Sequence, residues 1–168
     1  MTIYQFIERF GEEILANTNA TLTLEEHRKV WDDFETKTEA YRADVIDDWH
    51  AESIKLINGL EFEKASELLI IYLCGYFDKD VDKPFLEVVR LIRSTLEQQN
   101  DQKIINSIID YCWILMDMLF HECPFEFTLN EMQLELKQIK ELIILKYPNY
   151  EKDAVMPLRF IDMMLEFK

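Results

Sequence analysis

The sequence contains few of the residues that interrupt helices. Only three glycines and four prolines occur among 168 residues, and hardly any stretch alternates apolar and polar residues with the period of two that a half-buried strand requires. Strands and glycine-rich loops are therefore not expected. Apolar residues instead recur at spacings of three and four along the chain, which is typical of amphipathic helices.

Cysteine is also scarce, and its odd count argues against a disulfide framework. The three cysteines are Cys74, Cys112 and Cys123. The first two lie in strongly apolar helical stretches, where a free thiol packs as a small hydrophobe. We expect core thiols in a reducing compartment. A catalytic Cys112 would need a base and electropositive surroundings, whereas its neighbours are Tyr111 and Trp113.

Long apolar runs are missing as well. The uncharged segment 68–77 is about half of the ~20 residues that a membrane-spanning helix needs. The first ten residues contain no basic segment followed by an apolar run, as a secretory signal would. We therefore expect a cytoplasmic protein that does not cross a membrane.

The length and the apolar content predict one ordered domain. Hydrophobic residues make up 49% of the chain, which is too many for a disordered protein, and 168 residues can enclose a full core. The predicted fold is all-α, a single-domain bundle of six to seven helices over residues 1–168. A stack of helical hairpins is the alternative arrangement.

Local end signals predict where the helices begin and end. Thr23 followed by Glu26 forms a capping box, the pair that satisfies free backbone donors at a helix start. The helix that follows shows one apolar seam as far as Asn58, with Gly59 as its stop, unless it breaks near Asp48. Other helices are expected from Thr2 to a loop at 17–21, and over 61–76, 82–100, 103–121, 128–146 and from about 153.

Basic residues are few compared with acidic ones. The chain has 18 Lys and Arg against 33 Asp and Glu, a net charge of −15. Such a charge repels nucleic acid and anionic membranes and accelerates encounters with basic proteins. From Glu25 to Glu52 there are ten acids and four bases, the most uneven stretch of similar length. We therefore expect a basic protein partner and no nucleic-acid partner.

A single helix through this stretch would align several carboxylates. At 100° per residue, Glu26, Asp33, Asp44 and Asp47 fall within about 60° of arc, opposite the apolar seam. Trp49 lies on the seam and is either a core residue or an aromatic anchor inside an acidic rim. A purely solubilising face is the other interpretation of the acids. The candidate partner-binding residues are Glu25, Glu26, Asp32, Asp33, Glu35, Asp44, Asp47, Asp48 and Trp49.

No metal or cofactor site is expected. Asp78, Asp80 and Asp82 resemble the start of a calcium-binding loop, but Lys83 and Val89 occupy the positions that require glycine and glutamate. The three histidines are too few for the Glu-x-x-His pairs of a di-iron bundle.

One enzyme alternative remains open at this point. Asp44-x-x-Asp47 with Asp48, and Glu63 with Glu67, are similar to the magnesium ligands of all-α nucleotide pyrophosphohydrolases. Neither group combines the spacing and the residue types of that family. Because ligand geometry makes a magnesium site, we expect a protein that is not an enzyme.

The acidic runs Asp32-Asp33-Phe34-Glu35 and Asp44-Val45-Ile46-Asp47-Asp48 occur in a small helical chain with few cysteines. In this overall character the sequence resembles bacterial immunity proteins of contact-dependent growth inhibition and related secretion systems. The resemblance implies a cytoplasmic partner, a basic toxin domain such as a nuclease, whose cationic cleft the acids would cover. A helical adaptor that binds through apolar grooves is the other non-enzymatic alternative. The sequence does not indicate an oligomeric state.

Overall fold

The structure is all-α, as predicted. A computed structural model describes residues 1–19, 21–73, 82–122 and 129–147, together with 158, 159, 161, 162 and 165. Within these residues there are seven longer α-helices, one short 3₁₀ helix and no strand. The helices are α1 Ile3–Asn19, α2 Leu24–Thr38, the 3₁₀ helix Glu39–Tyr41, α3 Arg42–Asn58, α4 Phe62–Leu73, α5 Asp82–Gln98, α6 Gln102–Glu122 and α7 Leu129–Lys146.

Side-chain caps fix the starts of the first two helices where the sequence predicts them. The Thr23 hydroxyl accepts a hydrogen bond from the Glu26 backbone N–H at 3.3 Å, and the Glu26 carboxylate accepts one from the Thr23 N–H at 2.8 Å. At the start of α1, the Thr2 hydroxyl accepts from the Gln5 N–H at 3.1 Å. Both predicted caps are confirmed.

The end of α1 differs from the prediction, and so does the backbone conformation of the turn that follows α3. α1 continues through Asn19 instead of ending at the predicted loop, because Asn and Thr cost a helix only a few tenths of a kcal/mol more than average residues. α3 ends at Asn58 as predicted, but Gly59 keeps a right-handed φ of −79°. Leu60 takes the left-handed conformation instead, with φ 59°.

Several predicted features lie outside the described residues. They are the end of the helix expected over 61–76, the Asp78 and Asp80 side chains, Thr128 as a second cap, and most of the final helix from about 153. Within that final stretch, Ile161 is helical and fully buried.

The helices pack in two layers. α1, α3, α5 and α7 lie side by side in chain order, whereas α4 and α6 pack against each other in the second layer. The contacts of α3 with α4 and of α5 with α6 join the layers. The predicted all-α helical bundle is confirmed for the described residues, and the neighbour order also fits stacked helical hairpins, the alternative that the sequence leaves open.

A continuous apolar core fills the space between the layers. Trp49 of α3 stacks on Phe85 of α5 with ring centroids 5.0 Å apart, and Phe62 of α4 lies 6.0 Å from Tyr111 of α6. α2 is attached at the outer end of the row through Phe34, whose ring meets Phe10 edge-on at 6.0 Å. The long second helix expected from the sequence is therefore two helices with separate positions in the fold.

Ionic contacts fasten α7 to α5. Lys146 donates to the backbone carbonyls of Leu96 and Glu97 in the last turn of α5 and of Gln99 just after it; the distances to Leu96 and Gln99 are 2.9 and 2.7 Å. These carbonyls lack partners within their own helix, so the ammonium serves as a C-terminal cap. Along the same helix pair, the nearly buried Glu135 accepts from Arg93 at 2.5 Å.

Candidate partner-binding surface

The stretch expected to form one acidic ridge is interrupted. α2 ends at Thr38, and a 3₁₀ turn over Glu39–Tyr41 separates it from α3. The buried Thr38 hydroxyl donates to the Phe34 carbonyl at 2.8 Å, and such back-bonding commonly bends a helix. The prediction that one uninterrupted helix, turning 100° per residue, runs from Glu26 to Asp47 is therefore wrong. The predicted break near Asp48 occurs about nine residues earlier.

Two of the predicted binding acids hold α1 against α3. Asp48 accepts a hydrogen bond from the Ile3 backbone N–H at 2.7 Å, and Asp44 lies 3.0 Å from the Met1 ammonium group. The first N–H groups of a helix have no partner within it, and its dipole favours negative charge there. Asp44 and Asp48 thus serve the fold, which the sequence prediction missed.

Glu26 is also occupied within the chain. Hydrogen bonds from the Thr23 side chain and then from the Thr23 backbone lower the pKa of the Glu26 carboxyl group. The carboxylate is therefore ionised across the neutral range, and its oxygens are committed to the start of α2. Its role as a partner contact is secondary to this cap.

Trp49 is buried completely, with 0% of its surface exposed. Its indole stacks on Phe85 in the middle of the α3–α5 contact. The core interpretation is therefore confirmed, and the anchor interpretation is wrong because a partner cannot reach the ring in this fold.

The other predicted acids are exposed. Among the described residues, Glu25, Asp32, Asp33 and Asp47 form no ion pair, although Lys29 and Lys37 follow Glu25 and Asp33 by four residues, a spacing that favours ion pairs on a helix. Lys37 instead pairs with Glu13 of α1 and lies over the Phe10 ring at 5.8 Å. Glu35 is exposed as well. Asp32, Asp33 and Asp47 therefore remain the most available carboxylates of the predicted set.

The acidic excess is concentrated in the first three helices. From Ile3 to Asn58 there are thirteen acids and six bases, whereas α5 and α7 each contain three acids and three bases. Nearly half of the net charge of −15 therefore comes from about a third of the chain. The field that a charged partner meets is strongest on the α1–α3 side.

Cys112, the cysteine that lies within the described residues, is not a nucleophile. Cys112 is fully buried in α6, and burial raises the pKa of its thiol to about 12. Burial also raises the pKa of the adjacent Tyr111 hydroxyl far above its ordinary value. Because the thiolate is the reactive form of cysteine, Cys112 is inert at neutral pH. Cys74 and Cys123 lie outside the described residues.

The carboxylates proposed as magnesium ligands do not come together in the described part of the chain. No group of three or more His, Cys, Asp or Glu side chains is placed there to hold a metal ion. Asp44 and Asp48 are engaged at the start of α1, and Glu63 and Glu67 lie on the exposed side of α4. The enzyme alternative therefore has no assembled ligand set among these residues.

The structure exposes a feature that the sequence analysis did not identify. Leu134 and Leu145 of α7 are 56% and 79% exposed, and Leu145 borders a surface pocket of about 380 Å³. The pocket is lined by Arg93, Glu97, Gln138, Glu141, Leu142 and Leu145. The sequence does contain a signal for this feature: Leu134 and Leu145 are eleven residues apart, which places both on a helical face that is otherwise polar.

Comparisons of the chain with protein-family models, with curated proteins and with solved structures give no match. Among the described helices, none is both long and apolar enough to span a bilayer. Function must therefore be argued from the surface itself.

Proposed function

We propose that this protein is an acidic, non-catalytic binding protein that neutralises a basic protein partner. In its specific form, the proposal is an immunity protein that inhibits a cognate nuclease-like bacterial toxin in the cytoplasm by covering its cationic cleft. The single observation that carries it is the set of exposed carboxylates Asp32, Asp33 and Asp47, which no described basic side chain neutralises.

The exposed carboxylates lower the stability of the fold. Exposed like charges destabilise a helix by a few tenths of a kcal/mol per facing pair, and a net charge of −15 opposes compaction. Acids that contribute to the fold, such as Asp48, are directly bonded to backbone donors. Among the described residues, Asp32, Asp33 and Asp47 form no comparable bond within the chain, so a basic partner is the group that would gain from their charge.

The chemistry of the partner follows from this field. A cleft that binds phosphate presents Lys and Arg, and carboxylates meet the same groups with complementary potential. Association is then accelerated at low salt and slowed as salt screens the charges. The expected partner is therefore a protein with a concentrated basic surface.

The test uses tagged protein as bait in a lysate of the host at 50 and 500 mM NaCl. The baits are the wild type, the triple variant Asp32→Lys, Asp33→Lys, Asp47→Lys, and the matched control Glu63→Lys, Glu67→Lys, Asp110→Lys. The control reverses three exposed acids of α4 and α6 in the other layer. We expect a basic protein on the wild type and on the control at low salt, and not on the Asp32, Asp33, Asp47 variant.

The captured protein is then purified and its association rate measured against each bait over a salt series. The proposal predicts an association rate at least tenfold lower for the Asp32, Asp33, Asp47 variant, with little change in dissociation. Equal association rates for the variant and the control would refute it.

A helical adaptor is the second candidate, and the exposed Leu134 and Leu145 favour it. Apolar contacts are not screened by salt, so an adaptor would keep its partner at 500 mM NaCl and lose it on substitution of these leucines. The salt series therefore separates the two candidates.

A further inference from the structure

The outer face of α7 carries the most exposed large apolar side chain of the described residues. Leu145 is 79% exposed, Leu134 56% and Ile144 41%. Eleven residues separate Leu134 from Leu145, which is three helical turns and brings both to within about 20° of the same direction. Gln138 and Glu141 lie between them on that face, and both are at least partly exposed.

α7 is also the last of the seven longer helices in the row α1, α3, α5, α7. The helical residues that follow it in the sequence pack on another side, because Asp162 pairs with Lys140, which lies about 120° around α7 from Leu134. A helix at the end of a stacked row needs a polar outer face to remain in water. α1, the first helix of the row, largely follows this rule, because Gln5, Glu8, Arg9 and Glu12 are exposed and the exposed Tyr4 carries a hydroxyl group. The outer face of α7 departs from it.

Charge makes this face distinct from the rest of the protein. α5 and α7 contain equal numbers of acids and bases in a chain with a net charge of −15. Any second copy of the chain carries the same surplus and is repelled by the acidic regions. The repulsion between two copies is weakest where the local charge is balanced, at the α5–α7 edge.

We propose that α7 pairs with α7 of a second copy of this chain in an antiparallel, two-fold symmetric dimer. A two-fold axis near the middle of the outer face, between Ile139 and Lys140, brings Leu134 opposite Leu145 of the second copy. The same register places Lys137 beside Glu141 of the second copy. Each contact occurs twice, because a two-fold interface is made of the same patch on both sides.

The pairing uses groups that are available on this face. Among the described residues, Lys137 and Glu141 form no ion pair within the chain, and both are exposed. Leu145 and Glu141 border the 380 Å³ pocket between α5 and α7, where Leu134 of the second copy would lie. The apolar and the ionic partners therefore meet in one register.

The expected affinity is modest. α7 has 18 residues, a length of about 27 Å, and one helix pair is at the small end of specific interfaces. Such interfaces form weak dimers that depend on concentration. Joining the two rows would place the acidic α1–α3 regions at the outer ends of the dimer, where they repel each other least.

The test is sedimentation velocity of the purified full chain from about 1 to 500 μM in 0.15 M NaCl. The wild type should shift from 20.2 kDa toward twice that mass as the concentration rises. Leu145→Glu and Leu134→Glu should each remain monomeric over the range. A wild type that stays monomeric throughout would overturn the proposal.

Charge reversal tests the register. Lys137→Glu alone and Glu141→Lys alone should each raise the dissociation constant about tenfold, because two exposed ion pairs become two repulsions. The double variant Lys137→Glu, Glu141→Lys should return to the wild-type value, since the pairs re-form with reversed sign. Equal dissociation constants for all four proteins would refute this register.

Ile70→Glu is the matched control, because Ile70 is 44% exposed on α4 in the other layer. It should dimerise like the wild type, and far-UV circular dichroism should show every variant as helical as the wild type. A loss of dimer in Ile70→Glu equal to that in Leu145→Glu would also overturn the proposal. None of these measurements involves the basic partner, so the dimer and the proposed function fail independently.

Discussion

At the scale of single residues, the turn after α3 shows how the fold uses a residue against its preference. Leu60 has φ 59°, whereas the preceding Gly59 has an ordinary right-handed φ of −79°. The N–H groups of Leu60 and Glu61 donate to Ile57 and Leu56 and close the end of the helix. A left-handed conformation costs a residue with a side chain roughly 1–2 kcal/mol, and glycine almost nothing.

We therefore predict that Leu60→Gly stabilises the protein. The relief of strain should exceed the greater flexibility of glycine in the unfolded chain, leaving a gain of about 0.5–1 kcal/mol in the free energy of unfolding. Urea unfolding followed by circular dichroism measures it. Gly59→Ala is the matched control and should cost little, since its new Cβ would lie 3.4 Å from the Lys55 carbonyl oxygen. A destabilised Leu60→Gly variant would contradict the strain argument.

At the scale of helices, local chemistry was predictable from the sequence and distant partners were not. The Thr23–Glu26 capping box and the start of α5 at Asp82 depend on residues within one turn, and both are found as predicted. The break at 39–41 has no glycine or proline to mark it, and the apolar spacing of three and four continues across it. The bond from the Thr38 hydroxyl to the Phe34 carbonyl contributes to the break. The packing of α2 against α1 also contributes, and no local signal in the sequence reports it.

The same difference between local and distant contacts explains why the candidate site was predicted only in part. The exposure of Asp32 and Asp33 followed from the polar face of a helix, whereas the use of Asp48 did not. Its partner, the Ile3 N–H, is 45 residues away in the sequence. Only the packing of α1 on α3 brings the two together, so acid clustering alone could not separate structural from available carboxylates.

The attachment of α1 to α3 leads to a second prediction. Asp48→Ala should lower the free energy of unfolding by about 1 kcal/mol, because it removes the cap from the first turn of α1. Asp47→Ala removes the same charge from a neighbouring exposed position and should change stability by less than about 0.5 kcal/mol. Chemical denaturation of both variants measures the difference, and equal stabilities would show that the Ile3 contact contributes nothing.

The attachment of α7 to α5 leads to a third prediction. Lys146→Met keeps the apolar stem but leaves the carbonyls of Leu96, Glu97 and Gln99 without the ammonium. We expect a loss of about 2 kcal/mol, typical of hydrogen bonds to a charged group. Lys103→Met, at an exposed position of α6, is the control and should be nearly neutral. Hydrogen exchange at the end of α5 should rise in the first variant alone.

At the scale of the whole molecule, the row of helices separates two kinds of surface. Nearly half of the acidic excess lies with α1–α3, and the charge-balanced, partly apolar face lies with α7 at the other end of the row. A protein that binds a basic partner at one end can therefore pair with itself at the other without bringing the two acidic regions together. The separation follows from the order of the helices along the chain.

The surplus charge leads to the last prediction, which concerns stability against salt. Raising NaCl from 10 to 500 mM screens the repulsion among carboxylates, since the Debye length falls from about 30 Å to a few ångströms. The free energy of unfolding of the wild type should therefore rise with salt. The triple variant Asp32→Asn, Asp33→Asn, Asp47→Asn should be more stable than the wild type by about 1 kcal/mol at 10 mM. This advantage should disappear at 500 mM.

Asp48→Ala is the control for this experiment, because it removes one charge together with the acceptor of the Ile3 N–H hydrogen bond. It should be less stable than the wild type at both salt concentrations, since a direct hydrogen bond is screened little. A triple variant no more stable than the wild type at 10 mM would mean that the three carboxylates do not strain the fold. At residues that serve function, stability is commonly traded for activity. A gain in stability together with a loss of association with the basic partner would therefore identify Asp32, Asp33 and Asp47 as acids kept for binding.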